Sequence, residues 1–233
     1  MIAKDYIVVA EGVQKSYGKT KALDNFSLNI ERGKVVGILG PNGTGKTTFL
    51  KSLAGLVKID QGNLRIDGYR PSVKTKALVS FLPDSNYLFE GFTVKEAVDI
   101  FRGFFSDFND EKRKALFSKM NITEDMKISD LSKGYVERLN VALVMSRDSK
   151  LFILDEPIGG VDPLAREMIL DAIIENVGDA TLVLTTHLID EMEKILDYVV
   201  YIDDGKVILE GETDQIIEEQ GMLLEDVYKS LYS

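Results

Sequence analysis

The sequence predicts an α/β protein in which a mainly parallel sheet surrounds a glycine-rich loop and carries an inserted helical segment. Three observations predict it. Short apolar runs alternate with helical periodicities, as expected when strands interleave with crossover helices. A glycine-rich octapeptide, Gly40 to Thr47, separates one such run from a helical pattern. From about residue 88 to residue 147 the pattern is helical alone.

Residues 6 to 37 read as β structure, because Phe26, Leu28 and Ile30 alternate with Ser27 and Asn29, and Glu31-Arg32-Gly33-Lys34 forms a turn. An apolar strand follows from Lys34 to Leu39. After the glycine-rich loop, Phe49, Leu50, Leu53 and Ala54 recur at helical spacing, and Gly55 is placed to end that helix. Residues 63 to 82 return to strands, with Asp67-Gly68 as a turn. Thr93-Val94-Lys95-Glu96 is a capping box, and Val94, Ala97, Val98 and Phe101 form one apolar stripe behind it. Further helices are predicted from about Glu111 to Lys119 and from Gly134 to Met145. Strands then recur at Leu151 to Leu154, Thr181 to Thr186 and Tyr198 to Ile202, with a helix over Leu164 to Ile174. Asp203-Asp204-Gly205 reads as a hairpin turn, and Leu224, Val227, Tyr228 and Leu231 give the tail helical spacing.

The 233 residues suit one compact domain, or a core with a small inserted subdomain. A net charge of -10 repels phosphate backbones, so no nucleic-acid partner is expected. Cysteine is absent, which excludes disulfides and thiolate metal sites and fits a reducing compartment. The longest apolar runs fall well short of the roughly 18 residues of a spanning helix, so no transmembrane segment is expected. Met1-Ile2-Ala3-Lys4-Asp5 lacks the apolar stretch of a secretory leader.

Gly40-Pro41-Asn42-Gly43-Thr44-Gly45-Lys46-Thr47 matches G-x-x-x-x-G-K-[ST] between a strand and a helix, the context its chemistry requires. Glycines let backbone N–H groups face a polyphosphate, the helix N-terminus adds positive potential, and Lys46 adds a point charge. The Thr47 hydroxyl is suited to Mg²⁺. Leu151 to Leu154 is an apolar strand ending in Asp155 and Glu156, where an α/β sheet presents ligand-binding groups. Because successive strand side chains point to opposite faces, Asp155 is expected to hold the Mg²⁺ shell and Glu156 to polarise an attacking water.

The order Tyr17, Gly40 to Thr48, Leu131-Ser132-Lys133-Gly134-Tyr135, Asp155-Glu156, Asp162 and His187 resembles an ATP-binding-cassette (ABC) transporter ATP-binding subunit over nearly the whole chain. The resemblance implies a phosphate-loop NTPase (RecA-like) core with an antiparallel β subdomain over residues 1–87 and 148–210. It also implies an inserted helical subdomain over about 88–147 and a helical tail over 211–233, all within one ABC ATPase domain. It implies ATP and Mg²⁺ as ligands, with Tyr17 stacked on adenine and His187 bonded to the γ-phosphate. Ser132 and Gly134 would contact the γ-phosphate of ATP held by another cassette. Asp162 would touch that partner near Glu156, or cap a helix that begins with Pro163. Two departures stand out. The signature keeps its leucine, serine and second glycine but has Lys133 and Tyr135, and Asp84 stands after Pro83 where the family places glutamine.

By the same resemblance the chain hydrolyses ATP to energise transport through separate membrane permease subunits. It would work as a homodimer or heterodimer of cassettes, cytoplasmic and peripheral on the inner face of the cell membrane. The aromatic cluster Phe81, Tyr87, Phe89, Phe92, Phe101, Phe104, Phe105 and Phe108 would receive a helix of that partner. The form of the signature leans toward an export or drug-response system. A regulatory ATPase without a membrane partner, or a weakly hydrolysing scaffold, is the alternative.

Overall fold

A computed structural model describes residues 5–233. Met1 to Lys4, on which the leader reading mostly rests, lie outside the described residues.

Two sheets make up the β structure. Strands β1 (Tyr6–Tyr17), β2 (Thr20–Glu31) and β4 (Gln61–Ile66) pair antiparallel in the order β2-β1-β4. The second sheet contains β3 (Val35–Leu39), β5 (Val79–Leu82), β6 (Leu151–Asp155), β7 (Thr181–Thr185), β8 (Tyr198–Asp203) and β9 (Lys206–Glu212). Its order is β5-β6-β7-β3-β8-β9, parallel except for the last strand. Every residue of β6 and β7 is buried, as strands covered on both faces must be.

The two-residue period of these strands divides the molecule into two cores. Val36, Ile38, Ile153, Val183 and Val200 face a core completed by the antiparallel sheet and by helix α1 (Lys46–Leu53). There Phe26 and Phe49 meet with ring centroids 4.5 Å apart. Leu39, Phe152, Leu154, Leu184 and Tyr201 face the other core. It is filled by α3 (Val94–Phe104), α4 (Asp110–Lys119), α5 (Lys133–Met145), α6 (Pro163–Val177) and, near the chain's end, α9 (Leu224–Tyr232).

Local signals act as the sequence requires. The Thr93 hydroxyl accepts from the Glu96 N–H at 3.2 Å, and the Glu96 carboxylate accepts from the Thr93 N–H at 2.7 Å. Gly55 takes φ +67° just beyond α1, and the β8–β9 turn places Asp204 at φ +43° and Gly205 at +72°. The stretch 63 to 82 is not all strand: it contains the single turn α2 (Val73–Lys76). The unpredicted α7 (Ile189–Met192) follows β7, and the tail forms α8 (Thr213–Gln220) as well as α9.

Candidate nucleotide site

Residues 40–45 join the end of β3 to the start of α1, wedged between two other strands. A Cβ on Gly40 would come 2.4 Å from the Ile202 carbonyl oxygen, and one on Gly45 would come 2.2 Å from that of Ala22. Gly45 also takes φ +108°, so glycine is required there by both space and conformation. The tip of the β8–β9 hairpin supports the loop from behind, with Gly205 N–H donating to the Thr44 carbonyl at 3.0 Å.

Lys46 is buried and folded back on this loop, its Nζ donating to the carbonyls of Gly40 at 2.6 Å and Pro41 at 2.9 Å. Burial lowers its pKa, against the opposing charges of Glu156 and Asp155.

Asp155 ends β6 and is 2 % exposed. One carboxylate oxygen accepts from the Thr185 hydroxyl at 2.7 Å; the other is buried with no hydrogen-bond partner. The Thr185 hydroxyl also accepts from the Glu156 N–H at 3.0 Å, so one side chain of β7 orders both acidic residues. Glu156 lies beyond the strand at φ +53°, a left-handed conformation uncommon for a side chain of this size. This turn corrects the simple alternation expected of the pair: both carboxylates line one cleft of about 400 Å³.

The Glu156 carboxylate accepts from the His187 N–H at 3.2 Å through Oε2, and Oε1 is 3.1 Å from His187 Nε2 without hydrogen-bond alignment. That ring nitrogen instead hydrogen-bonds Asn42 Oδ1 at 3.1 Å. Burial raises the Glu156 pKa, while His187 and Lys46 pull it down. Asn42, Gly43, Gly45, Lys46, Thr47, Thr48, Asp84, Asp155, Glu156 and His187 thus share one cleft with Ala22 and Gly159.

A protein-family model described as ABC transporter matches residues 23–159, more than half of the chain. The chain belongs to the ABC transporter family. It is 33 % identical over 232 residues to "Nod factor export ATP-binding protein I" of Ralstonia nicotianae, spanning 95 % of this chain and 72 % of that protein. A solved structure titled as the ATP-binding subunit of an ABC transporter superposes with TM-score 0.88, covering 97 % of this chain and all of the other at 24 % identity. CbiO1 of Clostridium perfringens, described as part of the ABC transporter complex CbiONQ, gives TM-score 0.76 at 28 % identity over 93 % of this chain and 92 % of its own.

The chain is therefore an ATP-binding, ATP-hydrolysing subunit of an ABC transporter, with a phosphate-loop NTPase core. No helix among the described residues is long and apolar enough to cross a membrane.

Other residues expected at the site lie elsewhere in the cassette. Tyr17 ends β1, 51 % exposed and outside the cleft. Ser132 caps α5, its hydroxyl accepting from the Tyr135 N–H at 3.3 Å, and neither it nor Gly134 lines the chain's own cleft. Asp162 caps α6, accepting from the Ala165 N–H at 3.1 Å, and its second oxygen lies 3.3 Å from where a Gly134 Cβ would stand. Sequence reasoning missed Thr185, whose only signal was the threonine pair ending a β-rich run.

Proposed function

We propose that the cassette hydrolyses ATP as one of a pair, with Glu156 as general base and His187 as the γ-phosphate contact, and drives separate membrane permease subunits. The observation that carries this reading is the enclosed Glu156 carboxylate beside His187 and opposite the phosphate loop. A base that must accept a proton from water gains from an environment that raises its pKa. On ATP binding, Lys46 would exchange the Gly40 and Pro41 carbonyls for phosphate oxygens, and the N-terminus of α1 would face the β-phosphate. Residues Gly40 to Thr48 supply the remaining phosphate contacts, and Tyr17 offers its exposed ring to adenine.

The residues fit Mg²⁺: Asp155 holds a buried carboxylate oxygen without a partner, and Thr47 and Asp84 line the same cleft. With so few protein ligands, phosphate oxygens and water would complete the shell, as is usual for this ion. Bound there, Mg²⁺ would neutralise charge developing on the phosphate oxygens.

Because Ser132 and Gly134 lie outside their own cleft, the phosphate cap they could form belongs to a second cassette, a homodimer or a heterodimer. Phe89 and Phe104 are 65 % and 80 % exposed, whereas Phe101 is buried, so the aromatic cluster divides into a core part and a surface part. The exposed part suits an amphipathic segment of a permease, which would hold the cassette on the cytoplasmic face of the membrane. Similarity to an export protein favours outward transport. The test is Mg²⁺-dependent ATP hydrolysis by the chain and by Glu156→Gln. The variant is expected to bind ATP with hydrolysis reduced at least a hundredfold; near-normal turnover would remove Glu156 from the base role.

A further inference from the structure

The tail helix α9 lies outside the stretch that matches the family model, yet it reaches toward the hydrolytic site by two routes. The first runs through β8. The Tyr232 hydroxyl donates to the Ile202 carbonyl at 2.9 Å, and this is the same oxygen that a Cβ on Gly40 would strike. Tyr232 therefore holds the carbonyl against which the first residue of the phosphate loop packs. One turn of chain further on, Gly205 donates to the Thr44 carbonyl of that loop. The fully buried Tyr201, next to Ile202, donates its hydroxyl to the Leu224 carbonyl at 2.9 Å, fastening the start of α9 to the same strand.

The second route runs through the segment that follows His187. Glu193, just after α7, accepts from the Leu224 N–H at 2.8 Å, placing a carboxylate at the N-terminus of α9 where the helix dipole favours it. Between these ends, Tyr228 and Tyr232 pack with ring centroids 4.7 Å apart. The Tyr228 hydroxyl is raised in pKa by burial and by the charge of Glu156, which puts the middle of α9 within electrostatic reach of that carboxylate.

We infer that α9 is a positioning element for hydrolysis, in which Tyr232 holds the support of the phosphate loop and Glu193, through Leu224, holds the segment behind His187. The inference rests on the reading of Glu156 and His187 as the hydrolytic pair. Neither Tyr232 nor Glu193 lines the cleft, so neither is a catalytic residue. A helix that merely buried its own Leu224 and Val227 against the core would alter stability alone, since α9 would then affect turnover only by unfolding.

The test compares kcat, the Kd for ATP and the melting temperature of the full chain with those of Tyr232→Phe, Glu193→Ala, which removes the acceptor of the Leu224 N–H, and their combination. Lys229→Ala, on the exposed face of α9, serves as the control. Tyr232→Phe keeps the ring and deletes one hydrogen bond, so kcat per folded molecule is expected to fall about fivefold, the weight of a single such bond. ATP affinity should fall no more than twofold. The double variant should lose less than the product of the single losses, because both act through one helix. Glu156→Gln, measured alongside, separates the two readings: if it retains turnover the hydrolytic assignment fails. If it is inactive while Tyr232→Phe and Glu193→Ala keep full kcat at temperatures where they are folded, the positioning role of α9 alone is overturned.

Discussion

Residue by residue, the site shows why a motif predicts chemistry better than it predicts neighbours. The phosphate loop was legible because each of its glycines answers a local need: Gly45 has no room for a methyl group and a backbone angle that side chains avoid. The left-handed turn at Glu156 was not legible, since no residue type announces it; the Thr185 hydroxyl and the start of the next loop impose it from outside. The departure at Tyr135 also acquires a reason. Its hydroxyl accepts from the Thr123 N–H at 2.8 Å, and the Arg138 guanidinium sits 5.0 Å above its ring while donating to the Met120 carbonyl. Tyr135 thus ties α5 to the connection leaving α4, and its hydroxyl is already engaged away from the helix N-terminus. Replacing Tyr135 with Phe is expected to lower stability by about 1 kcal/mol, the net value of one hydrogen bond, with turnover at saturating ATP within twofold of the parent. Denaturant unfolding and an ATPase assay check both halves; a large loss of turnover without loss of stability would give Tyr135 a part in the phosphate contact beside Ser132 and Gly134.

Among elements, the most consequential contact joins the helical insert to the sheet. Arg147 follows α5, its side chain 3 % exposed, and donates to both carboxylate oxygens of Asp107 at 3.0 Å and to the Val79 carbonyl at 2.7 Å. Its guanidinium also lies 3.9 Å from the centroid of the Phe105 ring. One side chain therefore links the α3–α4 connection, α5 and the first residue of β5. Asp107→Ala removes the acidic partner and leaves a buried charge uncompensated, which is expected to cost about 3 kcal/mol or more. Arg147→Met removes the charge while keeping much of the volume and should cost less, although it orphans the Val79 carbonyl. Chemical denaturation of the two variants tests the ordering; equal or reversed costs would show that packing on Phe105 outweighs the ion pair. The long strands and helices were readable because their apolar periods run for several repeats, and Thr93 with Glu96 fixes a helix start using neighbouring residues alone. By contrast, α2 and α7 are single turns, too short for a period to declare itself, and Arg147 looked like any charge at the end of a helix until tertiary structure enclosed it.

At the scale of the whole molecule, the proposed pairing of cassettes must contend with charge. Each chain carries a formal charge of -10, so two copies approaching face to face repel one another at long range. Bound ATP adds negative charge to both, while Mg²⁺, Lys46 and the N-terminus of α1 offset it only within a few ångströms. Short-range attraction between a phosphate and the partner's Ser132 region would then compete with repulsion spread over the entire surface. Salt separates the two, because mobile ions screen exposed charges beyond roughly 10 Å at 0.1 M but hardly reach a closed, desolvated contact. Raising ionic strength from about 10 to about 150 mM is therefore expected to strengthen an ATP-trapped Glu156→Gln homodimer, lowering its dissociation constant several-fold. Sedimentation of that variant at fixed ATP and Mg²⁺ across a salt series measures it. Weakening of the dimer with salt would mean that complementary charges at the interface dominate the net repulsion. Failure to dimerise at any salt, with ATP bound, would instead point to a heterodimer whose second cassette carries the missing complementary face.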